Sequence, residues 1–309
     1  MLRQKAKRLA RGKWPGILEE LGVPVKFLTG RHTECPFCGG KDRFRFSDIE
    51  GTGGFFCNQC SKGNGMDFLM RFFDWDFHQT AKAVEGIVGM VEMTPEKKKP
   101  DPSLLLKRIY MGVQELTGGD NASLYLKSRG LTMIPDVLKV HPNLAYWEDG
   151  TKKGEYQAML AMVSDEHGKA NTYHITYLKG SEKANIRDQK KIMPPKSPLP
   201  GSAVRLFPAE DLTLGLAEGI ETAIAATQVT GIPCWSTLSA EGLMSVVIPA
   251  HVTRVIIFAD NDKSFTGQKA AYHLANRLKV QNKVDHVEVR VPVKEDTDFL
   301  DVLSAKIIK

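Results

Sequence analysis

The sequence predicts a multidomain α+β protein, and three observations along the chain carry this prediction. Four of the five cysteines form two Cys-x-x-Cys pairs near the N-terminus, Cys35/Cys38 and Cys57/Cys60. A stretch rich in proline and lysine, residues 94–102, has no apolar periodicity and indicates a linker. From Leu212 onwards, apolar strand-like runs alternate with helical patterns, which is typical of a parallel sheet covered on both faces.

Length and composition allow two or three domains, each with its own core. The chain has 309 residues, of which 42% are hydrophobic. The formal net charge is +6, and basic residues concentrate in residues 1–13 and 169–205. This distribution favours a polyanionic partner, although runs of charge are more often solvated surface. No apolar run approaches the roughly 18 residues of a membrane span, and no signal peptide is evident, so we expect a soluble cytoplasmic protein without membrane contact.

The two cysteine pairs predict one structural zinc site. The gap between the pairs falls within the roughly 15–20 residues of a four-cysteine zinc ribbon, and each Cys-x-x-Cys turn brings two sulfurs together. Disulfide bonds and scattered core thiols are the alternatives, and five cysteines without a signal peptide disfavour disulfides. A module of this size, held by a metal instead of a core, usually binds a polymer. We therefore expect residues 1–93 to form an N-terminal helix and a zinc-ribbon domain.

The ribbon itself is predicted to contain a small antiparallel sheet between helices. Helical spacing marks three segments of the domain, residues 14–21, 66–74 and 77–88. Residues 43–46 and 54–56 alternate like two strands. Arg43 and Arg45 would share one face, where we expect contact with nucleic acid. The phenylalanines between and beside them would form the core, although aromatic rings can also stack on bases.

The central domain is expected over residues 103–208. Helical patterns come first, and strands at residues 157–163 and 170–178 then flank a glycine-containing hairpin loop. His174 lies in the second strand, and a lone strand histidine is more often structural than catalytic. Five basic residues beyond the hairpin are predicted to bind the phosphates of nucleic acid or NTPs: Lys179, Lys183, Arg187, Lys190 and Lys191.

Residues 209–309 are expected to form a C-terminal α/β domain. Its apolar strands cover residues 212–217, 232–235, 254–259 and 287–291. Parallel sheets bind ligands at the carboxyl ends of their strands. Acids follow three of these strands, namely Glu218, then Asp260 and Asp262, then Asp298 and Asp301. Converging carboxylates suit a hard divalent cation, whereas the alternative, helix N-capping, fits Asp298 but explains the first three acids poorly.

Two motifs in this C-terminal part resemble the Toprim fold, LAEGIETAIAA over residues 216–226 and VIIFADND over residues 255–262. The cysteine module resembles the zinc-binding domain of bacterial-type DNA primases, especially those of phages, satellite phages and plasmids. The segments YLKSRGL, YHITYLKGSEKA and AVRL resemble the stretch that these proteins carry before Toprim. The chain differs in having four cysteines where many such primases use a histidine. It also has Asp-Phe-Leu-Asp instead of a tight Asp-x-Asp, which leaves open which acid after the third strand binds metal.

The resemblance implies a DNA-dependent RNA primase that makes short primers on single-stranded DNA for a phage or other mobile element. Glu218, Asp260 and Asp262 would be the catalytic acids and, together with Asp298 and Asp301, would hold Mg²⁺ or Mn²⁺. Single-stranded DNA, NTPs and a separate replicative helicase would be the partners, since the sequence contains no Walker-type phosphate loop. A Toprim nuclease and a non-catalytic DNA-binding accessory protein remain alternatives. A topoisomerase would need a further large domain with a nucleophilic tyrosine.

Overall fold

The computed structural model describes residues 2–94, 101–209, 212–281 and 283–307. The chain divides into two compact units, Met1–Pro100 and Asp101–Lys309. Most of the predicted linker, residues 95–100, lies outside the described residues. Within the described ranges, no helix is long and apolar enough to cross a bilayer.

The first unit surrounds an antiparallel sheet with helices. The helices described here are α1 (Leu2–Ala10), α2 (Trp14–Glu20), α3 (Gly65–Phe72) and α4 (Phe77–Ile87). The strands are β1 (Thr33–Cys35), β2 (Gly39–Phe46), β3 (Phe55–Cys57) and β4 (Ser61–Gly63), and they lie in that spatial order. Sequence analysis did not predict α1, because its many charges hide a short apolar face in which Ala6 and Ala10 are fully buried.

The first unit contains an extensive hydrophobic core, which corrects the expectation that a metal replaces one. The rings of Phe44 and Phe55, from neighbouring strands, stack with centroids 5.8 Å apart. Phe68 of α3 packs edge-on against both rings, at 6.0 and 5.5 Å. Trp14 of α2 is only 2% exposed. The core exists because the helices cover the apolar face of the sheet and bury its aromatic side chains.

Helix α3 begins just after β4, the strand that follows the second cysteine pair, and is fixed at its start. Asn64 caps it by accepting hydrogen bonds from the N–H groups of Met66 and Asp67, and Asp67 accepts in return from the Asn64 N–H. Gly65, the first helical residue, lies against the ring of Trp14, where a Cβ atom would not fit. This start holds the second cysteine pair close to the core.

The second unit opens with helices and an antiparallel sheet. Its first helices are α5 (Pro102–Met111) and α6 (Asn121–Ser128). The strands that follow are β5 (Leu138–Glu148), β6 (Thr151–Ser164), β7 (Ala170–Lys179), β8 (Glu182–Lys183) and β9 (Lys190–Ile192). Their order is β5-β6-β7-β8, and β9 also pairs with β7. Sequence analysis missed β5 because Pro142 interrupts its alternation, and the strand accommodates the proline by a shift in register between His141 and Leu144.

The rest of the second unit is an α/β fold with a parallel sheet, as predicted. Its elements are β10 (Thr213–Ala217), α7 (Ile220–Thr230), β11 (Cys234–Ser236), α8 (Ala240–Ser245), β12 (Arg254–Phe258), α9 (Thr266–Val280), β13 (His286–Arg290) and α10 (Phe299–Ile307). The strands pair in parallel in the order β11-β10-β12-β13. Each strand therefore ends at the same edge of the sheet.

The two sheets of the second unit are linked through one hydrophobic core. On β6, Met159 packs in the cluster that contains Ile224 of α7 and Phe299 of α10. Its neighbour Leu160 points to the opposite face and packs in the cluster that contains Ile109 of α5. The central sheet is thus covered by α5 on one face and by α6 together with the C-terminal helices on the other.

A buried ion pair connects the central sheet to α7. Glu221 is 6% exposed, accepts a hydrogen bond of 2.7 Å from the Tyr125 hydroxyl, and lies 3.0 Å from Nζ of Lys190 in β9. Burial opposes ionisation of Glu221, but the Lys190 charge and the Tyr125 hydrogen bond outweigh it and lower the pKa of Glu221 to about 2. Glu221 is therefore ionised and fully paired at neutral pH.

Replacing Glu221 with glutamine should lower the free energy of unfolding at neutral pH by on the order of 3 kcal/mol, which corresponds to lowering its pKa from 4.5 to about 2. Because the folded pKa is the lower one, this contribution is present above about pH 4.5 and is lost as the pH falls towards about 2. Urea denaturation of both proteins over this pH range measures it. Glu182→Gln, at an exposed position, is the control, and equal stability of wild type and Glu221→Gln at neutral pH would contradict the assignment.

Candidate functional site

The four ribbon cysteines come together in the first unit without forming disulfide bonds. Their sulfurs all lie within 4.8 Å of one another, and the pairs Cys35–Cys60 and Cys38–Cys57 are 3.6 and 3.7 Å apart. Four sulfurs at about 2.3 Å from one Zn²⁺ in a tetrahedron would be about 3.8 Å apart, whereas a disulfide bond measures about 2.05 Å. The geometry therefore fits a zinc site and is not that of disulfides.

Neighbouring donors hold the sulfurs in place. The N–H of Phe37 donates to Sγ of Cys35 and the N–H of Gln59 donates to Sγ of Cys57, both at 3.4 Å. The guanidinium of Arg71, in α3, lies 3.8 Å from Sγ of Cys60. Such donors orient metal-binding thiolates and stabilise their charge. The fifth cysteine, Cys234, is buried in the second unit and is not part of this cluster.

The solvent face of β2 and β3 combines basic side chains with an aromatic ring. Arg45 is exposed and lies opposite Phe56, which is 48% exposed. Arg43 lies two residues earlier on the same strand and is half-buried, whereas Phe44 and Phe46 are buried on the other face. Sequence analysis did not single out Phe56, although its position between two buried residues was the available signal. Cations beside an exposed ring suit contact with single-stranded nucleic acid.

In the second unit, the predicted acids lie at the carboxyl edge of the parallel sheet. β10 and β12 pair with Ala217 opposite Phe258. Glu218, which follows β10, therefore lies at the same edge of the sheet as Asp260 and Asp262, which follow β12. Parallel pairing of neighbouring strands is thus what brings acids that are distant in sequence to one place.

Glu218 and Asp260 are the two acids whose ionisation the fold opposes. Burial, together with the charges of Asp260 and Asp262, raises the pKa of Glu218 to about 7. Burial and the charges of Asp298, Asp262 and Asp301 raise the pKa of Asp260 to about 6. Oδ1 of Asp260 is buried and has no hydrogen-bond partner among the described residues. Buried, mutually repelling carboxylates of this kind are typical of functional sites.

Asp262 is held differently from its neighbour. Its carboxylate accepts hydrogen bonds from the N–H groups of Thr266 and Gly267, at 3.0 and 2.8 Å, and from the hydroxyl of Ser264. Burial would raise its pKa, but these hydrogen bonds outweigh burial and lower it. Asp262 therefore caps α9, and this fixes its carboxylate beside Asp260.

Asp298 and Asp301 form the start of α10. Oδ1 of Asp298 accepts from the N–H groups of Leu300 and Asp301, and its Oδ2 accepts from the hydroxyl of Thr222, at 2.9 Å. Oδ2 of Asp301 accepts from the N–H of Asp298. Both oxygens of Asp298 already have protein partners, so the helix-cap interpretation describes it well. The charges of both acids still act on Asp260.

The donor set at this edge fits a divalent cation that keeps much of its water. Among the described residues, the four cysteines form the one group of three or more His, Cys, Asp or Glu side chains with ligand atoms within 4.8 Å. The acids are therefore not arranged as a closed cage. Mg²⁺ is usually held by one or two carboxylates, waters and substrate phosphates. Glu218 and the unpartnered oxygen of Asp260 supply the carboxylates that such a cation requires.

The five basic residues of the central part differ in whether their charges are already paired within the protein, and therefore in whether they are available to a ligand. Arg187 forms ion pairs with Glu148, Asp149 and Asp188; Lys190 pairs with Glu221; and Lys191 pairs with Asp188 and donates to the carbonyl of Trp147. Lys179 is exposed and has no ion pair within the described residues. Lys183 is half-buried, and burial together with the Lys190 charge lowers its pKa. The charge pattern alone did not reveal which residues are paired within the protein.

His174 lies in the same region but does not form a catalytic arrangement. It is 8% exposed, and burial together with the charge of Lys190 lowers its pKa to about 4. It is therefore neutral at physiological pH. Its Nδ1 has no hydrogen-bond partner in the described parts of the chain.

Three family models match successive parts of the chain. Residues 30–66 match the zinc-binding domain of primase-helicase, and residues 213–307 match the Toprim domain. Residues 101–206 match a domain of unknown function. The chain thus contains a Toprim domain preceded by a zinc-binding domain, and the predicted fold class is confirmed.

The chain is also similar to several solved primase structures, at low sequence identity. The zinc-binding and RNA polymerase domains of the Aquifex aeolicus primase are 17% identical, with a TM-score of 0.45, over 97% of this chain and 82% of that one. The primase fragment of the bacteriophage T7 primase-helicase is 13% identical, with a TM-score of 0.38, over 90% and 97%. A DnaG primase catalytic domain bound to single-stranded DNA is 13% identical, with a TM-score of 0.45, over 66% and 76%.

The wild-type protein should contain one zinc ion, and Cys57→Ser should lose it. Loss of the metal should loosen residues 31–66, because zinc contributes folding free energy to the module that binds it. Metal analysis and amide hydrogen exchange measure the two effects. Cys234→Ala, outside the cluster, should keep its zinc. Wild-type protein without zinc, or Cys57→Ser with its full zinc content, would contradict the site.

In buffer without divalent cations, Glu218→Gln should raise the melting temperature near about pH 8 and leave it almost unchanged near about pH 4. The folded pKa of Glu218 is raised to about 7 from 4.5, so wild type loses stability as the pH rises between these values, and glutamine removes that loss. Millimolar Mg²⁺ should stabilise wild type more than the variant. Glu295→Gln, at an exposed position, is the control. If the melting temperatures of Glu218→Gln and wild type depended equally on pH, that result would contradict the raised pKa of Glu218.

Proposed function

We propose that the protein is a DNA-dependent RNA primase that synthesises short RNA primers on single-stranded DNA during replication of a phage or other mobile element. The observation that carries this proposal is the pair of half-buried acids, Glu218 and Asp260, with raised pKa values at the carboxyl edge of a Toprim sheet. A zinc-binding domain of the primase-helicase family in the same chain supports a nucleic-acid polymer as the substrate. A cytoplasmic location is part of the proposal.

The proposed organisation assigns one task to each part of the chain. Residues 1–93 form the ribbon domain with one structural Zn²⁺, and Arg43, Arg45 and Phe56 contact the template. Residues 94–102 are the linker, residues 103–208 bind phosphates, and residues 209–309 form the catalytic Toprim domain. NTPs, single-stranded DNA and a separate replicative helicase are the partners.

The catalytic chemistry rests on the acidic edge. A bound Mg²⁺ or Mn²⁺ would neutralise charge on the NTP phosphates and lower the pKa of the attacking 3′-hydroxyl. Glu218 and Asp260 would hold this cation, and the α9 amides keep Asp262 oriented towards the same space. Where Glu218 does not bind the metal directly, it would be the acid placed to accept the proton of the 3′-hydroxyl. Asp298 and Asp301 would act on a second ion through water.

Basic side chains of β7, β8 and β9 would orient the substrate. Lys179 is exposed, and Lys183 is half-buried in a neighbourhood that already contains Lys190. An anionic ligand would relieve the repulsion between these two cations. The side chain of Lys190 is 37% exposed, so it can face a phosphate while paired with Glu221. Lys191 and Arg187 would add longer-range attraction.

Incubation with single-stranded DNA, labelled NTPs and Mg²⁺ should yield short RNA products, and Glu218→Ala or Asp260→Ala should reduce their synthesis by orders of magnitude. Both changes remove charge from a sheet edge and no bulk from a core, so folding and DNA binding should persist. Asp298→Ala should reduce synthesis less, and the exposed-site variant Glu295→Gln should behave as wild type. Undiminished synthesis by Asp260→Ala would refute the catalytic assignment.

The same preparation separates the other functional classes. Cleavage of labelled DNA without NTPs, lost in Asp260→Ala, would identify a Toprim nuclease. Tight binding of single-stranded DNA with neither synthesis nor cleavage would identify an accessory protein.

A further inference from the structure

We propose that a pocket between α5 and the outer face of the central sheet binds one unstacked base of single-stranded DNA. The pocket has a volume of about 320 Å³, which is within the range of small-molecule sites. It lies on the face of the sheet opposite to the one that packs against the Toprim helices. The choice of DNA as the ligand rests on the proposed function, whereas the pocket and its chemistry are features of the described residues.

The pocket offers a ring on which a base can stack. Trp147, near the end of β5, lines the pocket and is 53% exposed, which makes it the most exposed of the four tryptophans. Ile109 and Tyr177 are buried lining residues, and the Tyr177 hydroxyl is fixed by a hydrogen bond of 3.2 Å to the carbonyl of Ala145. An exposed indole above an ordered apolar floor can bind any base through its π-face.

Polar groups among the lining residues can contact the edge of that base. Nδ1 of His141 accepts the N–H of Asn143 at 3.2 Å, and burial lowers the pKa of His141, so the neutral ring carries its proton on Nε2. The Asn143 amide donates to Glu155, and Lys152 pairs with the same carboxylate. The negative charge of Glu155 is therefore compensated and does not repel a polyanion. The side-chain oxygen of Asn143 is left as an acceptor with no partner in the described residues.

Cations at the rim suit the backbone of a nucleic acid. Arg108 lines the pocket, is exposed and has no ion pair among the described residues. Lys191 donates to the carbonyl of Trp147 at 2.6 Å. The pocket therefore borders β9, where the candidate phosphate-binding residues begin.

The exposed indole, the polar lining groups and the cations together favour DNA over an apolar segment of a protein partner as the ligand. A leucine or phenylalanine side chain in this pocket would bury the polar groups of Asn143 and His141 without giving them hydrogen bonds, which costs free energy. A base offers donors and acceptors on its edge and a flat face for Trp147. Its phosphates would meet Arg108 at the rim.

Fluorescence of the full-length protein tests the stacking directly. Because Trp147 is the most exposed indole, oligo(dT) should quench part of the tryptophan emission in a saturable way, and Trp147→Phe should lose that quenching. Trp147→Ala should weaken binding of labelled oligo(dT), measured by anisotropy, by roughly 5- to 150-fold, the range expected for loss of one stacked base. Arg108→Ala should weaken binding and reduce its salt dependence. Tyr272→Ala, which removes an exposed ring from α9, is the matched control and should bind as wild type.

Each other outcome decides against the pocket as a DNA site. Oligo(dT) binding that is unchanged in Trp147→Ala would overturn the proposal while leaving the primase function intact. Quenching by free NTPs with unchanged DNA affinity in Trp147→Ala would identify a nucleotide site instead. No binding of single-stranded DNA by wild type at all would overturn both the pocket and the proposed function.

Discussion

Two half-buried carboxylates, which form no ion pair among the described residues, are the constraint around which the second unit is organised. Glu218 and Asp260 meet because β10 and β12 pair in parallel and end at one edge. Their pKa values are raised to about 7 and about 6, so the protein by itself disfavours the ionised form of both groups. The fold tolerates this cost because the strands that carry the acids are buried on both faces between helices. A cation at the edge would convert the cost into binding free energy.

Glu221 lies one turn further along the chain than Glu218. It shows that burial alone does not decide whether the pKa of a carboxylate is raised in this fold. It is buried more deeply, yet Lys190 and Tyr125 lower its pKa to about 2. One carboxylate at the start of α7 is therefore neutralised by the protein, and the other is left for a ligand. The paired acid also joins α7 to β9, so the helix that follows Glu218 is fixed to the candidate phosphate-binding strand.

The spacing of the cysteines along the chain and the position of acids after apolar strands made part of the two candidate sites predictable from the sequence. Two Cys-x-x-Cys pairs can converge without knowledge of the rest of the chain, and acids after buried parallel strands must share an edge. Pairings that depend on tertiary structure could not be read in this way. The Thr222–Asp298 hydrogen bond, the Glu221–Lys190 pair and the ion pair of Arg187 with Asp149 join residues far apart in sequence. Strand β5 was not predicted because Pro142 interrupts its alternation of apolar and polar residues. Helix α1 was not predicted because its many charged residues mask its short apolar face.

Both a metal site and an aromatic core stabilise the first unit. The presence of the core determines how much of that stability the zinc has to supply. Cys35 and Cys57 are buried in the same cluster as Phe44 and Phe55. Cys38 is exposed, so the site joins the core to the surface of the ribbon. A core of this size would hold the helices together without metal, whereas the zinc would fix the two cysteine turns relative to each other. Zinc is therefore needed less for the existence of the unit than for the fixed shape of its ribbon, where Arg45 and Phe56 are placed side by side on the exposed face.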